Sequence, residues 1–169
     1  MALKKTSETV IISNAVTETA ANTMTQTQVS LQLSPLDREV FVVTMVNLDP
    51  DAPDALVGLS TEVNASISVT ARTTVGTIGN SNVIASARTQ IICNAAMTPD
   101  GGIPFSREDP LQSDPHSQWV GMVATDDFFI NIQGTNNGNA KACRARVYGY
   151  RAKADAATYA ALVQSELLS

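Results

Sequence analysis

Along residues 61–72, TEVNASISVTAR, side chains alternate without a fault. Thr61, Val63, Ala65, Ile67, Val69 and Ala71 share one side; Glu62, Asn64, Ser66, Ser68, Thr70 and Arg72 share the other. A period of two marks a strand with one buried face, and at ~3.3 Å per residue the stretch predicts a single ribbon about 40 Å long. The same reading along the rest of the chain gives about eight strands.

The first strand covers residues 8–13. In the second, 23–33, Thr25, Thr27, Val29, Leu31 and Leu33 face inward and Gln26, Gln28, Ser30 and Gln32 outward, before SPLD breaks the ladder. The third, 38–48, is apolar on both sides, with Phe41, Val43 and Met45 on one and Val40, Val42 and Val46 on the other. Such a strand is covered twice, by its own domain or by a neighbouring subunit. After the ribbon and the turn TVGTIGNS, a fifth strand turns Val83, Ala85, Ala87, Ile91 and Cys93 inward. Residues 119–125, 127–133 and 140–152 supply the last three. Phe128, Ile130 and Ile132 face inward on the second of these, and Cys143, Ala145 and Val147 on the third. GTNNGN between the final two reads as a hairpin turn, because Asn and Gly accept positive φ. Residues 95–117 hold four prolines and two glycines and are expected to form one long loop with no regular element.

The period changes at the end, where Ala156, Ala160, Val163 and Leu167 recur at helical spacing behind Asp155, a candidate N-cap. One helix among eight strands, with no crossover helices, predicts an all-β chain: an antiparallel two-sheet β-sandwich of jelly-roll type with one short C-terminal helix. The expected organisation is an N-terminal segment with a short strand over 1–21, a sandwich over 22–151 and the helix over 152–169.

Composition then bears on function. Charged residues make up 16% of the 169 positions, against a usual quarter, and neutral polar side chains fill the gap. A surface short of charge is easier to reconcile with contacts between copies than with a solitary monomer. The net charge of −5 and pI near 4.7 argue against direct nucleic-acid binding, which needs clustered Lys and Arg. MALKKTSETVIISNAV is neither a polybasic arm nor a signal peptide, so synthesis in a cytoplasm without export is expected. No apolar stretch approaches the ~18 residues of a membrane span.

Catalytic chemistry finds little footing. His116 is the one histidine, and there is no GxSxG elbow, GxGxxG fingerprint or P-loop. The metal-binding histidine set of cupins, which share the jelly roll, cannot be built. No enzyme activity and no cofactor are expected. Cys93 and Cys143 lie on the apolar sides of predicted strands and read as buried thiols or as a disulfide between facing strands. Asp49, Asp51 and Asp54 in DPDAPD suit calcium as oxygen ligands or serve as solvated turn acids. Pro50 and Pro53, with Ser60 at the twelfth position, exclude an EF-hand loop. Asp126 and Asp127 add two more acids.

Five basic residues, Lys141, Arg144, Arg146, Arg151 and Lys153, fall within thirteen positions. They read as a solvated face, as salt-bridge partners for acidic loops of a neighbouring copy, or as contacts to nucleic acid or acidic lipid. Arg144, Arg146, Tyr148 and Tyr150 share the outer face of the last strand. With Trp119, and with Tyr159, Val163 and Leu167 on the helix, they form the expected subunit contacts, since Tyr, Trp and Arg are enriched where interfaces gain their energy.

In strand number, long alternating strands, neutral polar faces, a Pro-rich loop and a terminal helix, residues 22–151 resemble viral single jelly-roll capsid or coat proteins. The resemblance implies a structural protein of the virion that assembles with copies of itself, and with other virion proteins, into a capsid or outer shell. Such proteins often carry a basic N-terminal arm for the genome, which this chain lacks, so an outer shell, spike or decoration role follows. The alternative is a lectin-like or host-attachment module that presents sandwich loops, with Trp119 and the acidic loops as contacts.

Overall fold

A computed structural model describes residues 3–93, 103–107 and 119–168. Among them run β1 (Lys4–Lys5), β2 (Val10–Thr17), β3 (Thr25–Ser30), β4 (Glu39–Pro50), β5 (Thr61–Ser68), β6 (Val83–Ile92), β7 (Ile103–Arg107), β8 (Gly121–Val123), β9 (Asp127–Thr135), β10 (Ala142–Lys153) and one helix, α1 (Ala156–Leu168).

Four antiparallel pairs, β2 with β10, β3 with β9, β4 with β8 and β5 with β6, are successive rungs of one long two-stranded ribbon. The ribbon is rolled on itself so that β10 also pairs with β4, and β9 with β5. Two sheets result, β2-β10-β4-β8 and β3-β9-β5-β6, with β1 added beside β10 and β7 beside β6. Eight strands wound in this way are a jelly roll. The chain is therefore the all-β two-sheet sandwich its periodicity predicts.

Between the sheets lie Phe41, Val43 and Val46 of β4, Val63 and Ile67 of β5, Phe128, Ile130 and Ile132 of β9, and Cys143 and Val147 of β10. Burying each larger aliphatic or aromatic side chain here stabilises the fold by roughly 1.5–3 kcal/mol. A second apolar layer sits on the far side of the first sheet. Val40, Val42, Met122, Ala124, Ala152 and Ala154 are covered there by Tyr159, Leu162 and Val163 of α1 and by Leu3. The doubly apolar β4 is thus covered on both faces by its own chain.

Several sequence expectations need correction. The faces of β4 exchange part-way, because Tyr148 and Gly149 of β10 stand opposite Met45 and Val43, leaving Thr44 as an extra residue. This bulge puts Phe41, Val43, Val46 and Leu48 on the core side and Val40 and Val42 under the helix. The ribbon at 61–72 stops at Ser68, about 26 Å long at 3.3 Å per residue. Val69 stays buried but Ala71 is exposed. Within the predicted loop 95–117, Ile103–Arg107 forms β7 at the sheet edge. Pro104 is tolerated there, since an edge strand needs hydrogen bonds on one side alone. GTNNGN is not a hairpin: β9 and β10 belong to different sheets, and the turn carries the chain between them.

The helix is capped as expected, with Thr158 N–H donating to Asp155 Oδ1 at 2.8 Å. Its packed face is rotated from the predicted one. Tyr159, Leu162 and Val163 meet the sheet and Glu166 is buried, whereas Ala156, Ala160 and Leu167 are exposed. The hydrogen bond from Thr158 holds the Asp155 carboxyl below its ordinary 3.8. A depressed carboxylate stabilises above its unfolded pKa and loses that contribution as pH falls through its folded value. Asp155→Ala is therefore expected to fray the first turn and lower the Tm by a few degrees at neutral pH. The difference from wild type should vanish in acid, as followed by circular dichroism.

Candidate functional site

The first sheet divides into two outer halves. Beyond the Thr44 bulge, toward β8, α1 covers it. On the other side, Tyr148, Arg146 and Arg144 of β10 stand beside Ile11, Ser13 and Ala15 of β2 and beside Met45, Asn47 and Asp49 of β4. Cross-strand partners share a face in an antiparallel ladder, so these side chains form one open surface. Ile11 is 58% exposed. Ser13, Ala15, Asn47, Asp49, Arg144 and Arg146 line a shallow depression of about 520 Å3 in it.

Arg144, Arg146 and Tyr148 thus lie together as expected. Tyr150 does not join them, because it packs into the layer beneath α1, with the Lys5 ammonium 5.2 Å from its ring centre. Tyr159 and Val163 pack against the same layer while also lining, with Leu167 and Leu168, a second depression of about 500 Å3 on the helix. Trp119 is 40% exposed and leads into β8, at the opposite edge of the sheet from β2. Sequence reading missed Ile11, Ser13 and Ala15 as part of this surface. Ile11 and Ser13 lay within the expected first strand, and the alternation of IISNAVT past Ser13 was the signal that would have extended it to Ala15.

The basic cluster pairs within the chain. Lys141 binds Asp54 at 2.5 Å, Arg144 binds Asp51 at 2.9 Å, Arg151 binds Glu39 at 3.3 Å and Lys153 binds Asp37 at 2.8 Å. Arg146 alone of the five has no ion pair among the described residues. Within the single chain, four of the five thus have acidic partners of their own.

The same pairs engage two of the three candidate calcium ligands. Asp54 accepts from Lys141, from Gly138 N–H at 2.9 Å and from Asn139 N–H at 3.0 Å. The hydrogen bond from Lys141, above all, holds its carboxyl below the usual range. Asp51 takes Ala142 N–H at 2.9 Å as well as Arg144, and Asp49 is exposed on β4. No three His, Cys, Asp or Glu side chains converge on a metal-sized site among the described residues.

These loops meet in a buried polar network at one end of the sandwich. Glu18, just past β2, is 4% exposed and Asn137 5%. Asn137 Oδ1 accepts from Asp54 N–H at 2.9 Å, and its Nδ2 donates to Glu62 O at 2.8 Å. On the helix, the buried Glu166 carboxylate accepts Ala124 N–H at 2.8 Å and Thr125 N–H at 2.9 Å, fastening α1 to the end of β8. Cys143 is a buried thiol that desolvation pushes up to about 12; it is unbridged, so no disulfide joins it to Cys93, which lies half-buried past the end of β6. His116 lies outside the described residues. No described helix is long and apolar enough to cross a membrane.

The outer surface therefore offers no converging nucleophile, acid and base among its described residues, and what it presents is a mixture of apolar, neutral polar and charged side chains, Arg144, Arg146 and Asp49 among the last. No protein-family model matches the chain, and no curated protein sequence is significantly similar to it.

Proposed function

We propose that the chain is a structural protein of a virus particle, assembling with copies of itself through symmetric contacts into a capsid or outer shell. The observation that carries this reading is the jelly-roll strand order joined to a half-sheet left open beside the covering helix. Jelly rolls of this winding recur in capsid proteins as well as in lectins and cupins, so fold alone does not choose among them. The open surface favours the shell. Its neighbouring loops spend Asp51 and Asp54 on Arg144 and Lys141, which leaves the lectin-like alternative without two of its expected loop carboxylates. Four of the five clustered basic residues are neutralised by the chain's own acids, which agrees with a layer that does not touch the genome.

Light scattering after size exclusion, with negative-stain microscopy of the purified full chain, tests the proposal. Closed particles or large symmetric oligomers are the expected result. A chain that stays monomeric at high concentration overturns it, and a monomer retained on glycan arrays establishes the lectin-like alternative.

A further inference from the structure

Five strands border the two sheets, β1, β2, β3, β7 and β8, and they are not equally protected; β1 is two lysines long. β8 has three residues and β7 carries Pro104 and Arg107. Short strands, proline and charge are the usual guards against edge pairing. β3 has six residues and no large exposed apolar side chain. β2 has eight residues, VIISNAVT, with no charge and no proline, and it exposes Val10 by 43% and Ile11 by 58%.

The direction of its backbone groups follows from the ladder. Glu18 N–H donates to Lys141 O at 2.9 Å, so even-numbered residues turn their amides and carbonyls toward β10. Odd-numbered Ile11, Ser13, Ala15 and Thr17 turn theirs to the open edge. Ala15 N–H is met by the neighbouring Asn14 Oδ1 at 2.7 Å. No partner strand reaches that edge among the described residues.

We propose that this open edge of β2 pairs with β2 of a second copy, antiparallel about a two-fold axis at Ser13. A second copy is the occupant because the strand is complementary to itself. With Ser13 opposite Ser13, Ile11 faces the small Ala15 on the outer side and Val10 faces Val16 on the core side. Each opposed odd pair exchanges two main-chain hydrogen bonds, roughly six in all once Ala15 N–H exchanges Asn14 Oδ1 for the partner strand. Shifting the axis by one residue, to Asn14, would set Val10 against the buried carboxylate of Glu18. No like charges meet, since β2 carries none. The pairing is isologous and closes at two copies, and it joins the two open half-sheets into one surface. It deepens the shell reading by naming a two-fold contact, but a dimer of this kind does not require a shell.

Two variants test it in the full chain. Ser13→Pro removes an amide that points away from β10, so the fold should survive by circular dichroism. Losing the central pair should weaken self-association by at least about tenfold in light scattering. Ser13→Cys should form one disulfide-linked dimer under mild oxidation, because opposed hydrogen-bonded residues lie about 5.5 Å apart at Cα, within bridging range. Ser30→Cys on β3 should not. Wild-type assemblies that persist unchanged in a folded Ser13→Pro chain overturn the edge and leave the shell standing. So does cross-linking through Ser30→Cys as readily as through Ser13→Cys. A monomeric wild type overturns both.

Discussion

Gly149→Ala is expected to cost about 3 kcal/mol or more of folding stability, lowering the Tm by about 10 °C for a chain of this size. A Cβ at Gly149 would sit 2.5 Å from Val42 O and 2.6 Å from two atoms of the Phe41 ring. Neither neighbour has room to yield. The carbonyl belongs to the β4–β10 ladder at the centre of the first sheet, and Phe41 is 1% exposed between the sheets. The tight approach comes where β4 carries its extra residue, Thr44, opposite the Tyr148–Gly149 step. Thermal and urea denaturation measure the loss. Phe41→Leu in the same background separates the two causes. If the ring carries part of the clash, the double variant should be more stable than the sum of the single losses by more than ~0.5 kcal/mol. Strict additivity would leave the carbonyl as the whole cause, and a loss under about 1 kcal/mol would refute the close packing itself.

The inner faces of the strands were legible because burial writes itself as a period of two. Val63, Ala65 and Ile67, Phe128, Ile130 and Ile132, and Cys143, Ala145 and Val147 all lie in the core as their spacing predicts. The exchange of faces in β4 was not, since an apolar run marks burial on both sides without saying where an extra residue enters. The outer side of β5 misled for another reason. Ser66 and Ser68 read as solvent-facing, yet both are fully buried. Gly76 N–H donates to Ser66 Oγ at 3.3 Å and Asn131 Nδ2 to Ser68 Oγ at 2.9 Å. A polar residue alternates identically whether it meets water or a returning loop.

The candidate surface was half legible. The shared face of Arg144, Arg146 and Tyr148 follows from alternation, but the acids that neutralise Arg144 and Lys141 lie about ninety residues away in the chain. Such pairing is set by how the sheets roll, and no local pattern records it. The helix erred in the same way. Apolar spacing assigned its inner face to Leu167, whereas the buried position belongs to Glu166, whose carboxylate answers two backbone amides.

Glu18→Ala is expected to be the costliest substitution outside the apolar core, at about 4 kcal/mol. Glu18 Oε1 accepts Gly134 N–H at 2.6 Å and Oε2 accepts Lys141 N–H at 2.9 Å, while its own N–H donates to Lys141 O. One buried side chain thereby ties the end of β2 to β9 of the opposite sheet and to the approach to β10. Removing it strands two amides where water has little access, and each orphaned buried donor costs roughly 1–3 kcal/mol. No neighbour can move in, because Gly134 lies so close that a Cβ there would already stand 2.6 Å from Asn137 Nδ2. Glu18→Gln should fall between, at about 2 kcal/mol, since its amide oxygen still accepts one bond while its NH2 opposes the other donor. Urea midpoints should fall in that order with unchanged slopes, and amide exchange at Gly134 and Lys141 should quicken in both variants. Equal stability of the Ala and Gln forms would mean that one of the two bonds contributes nothing. The sandwich end would then be held by Asn137 and Asp54, which contact the same loops.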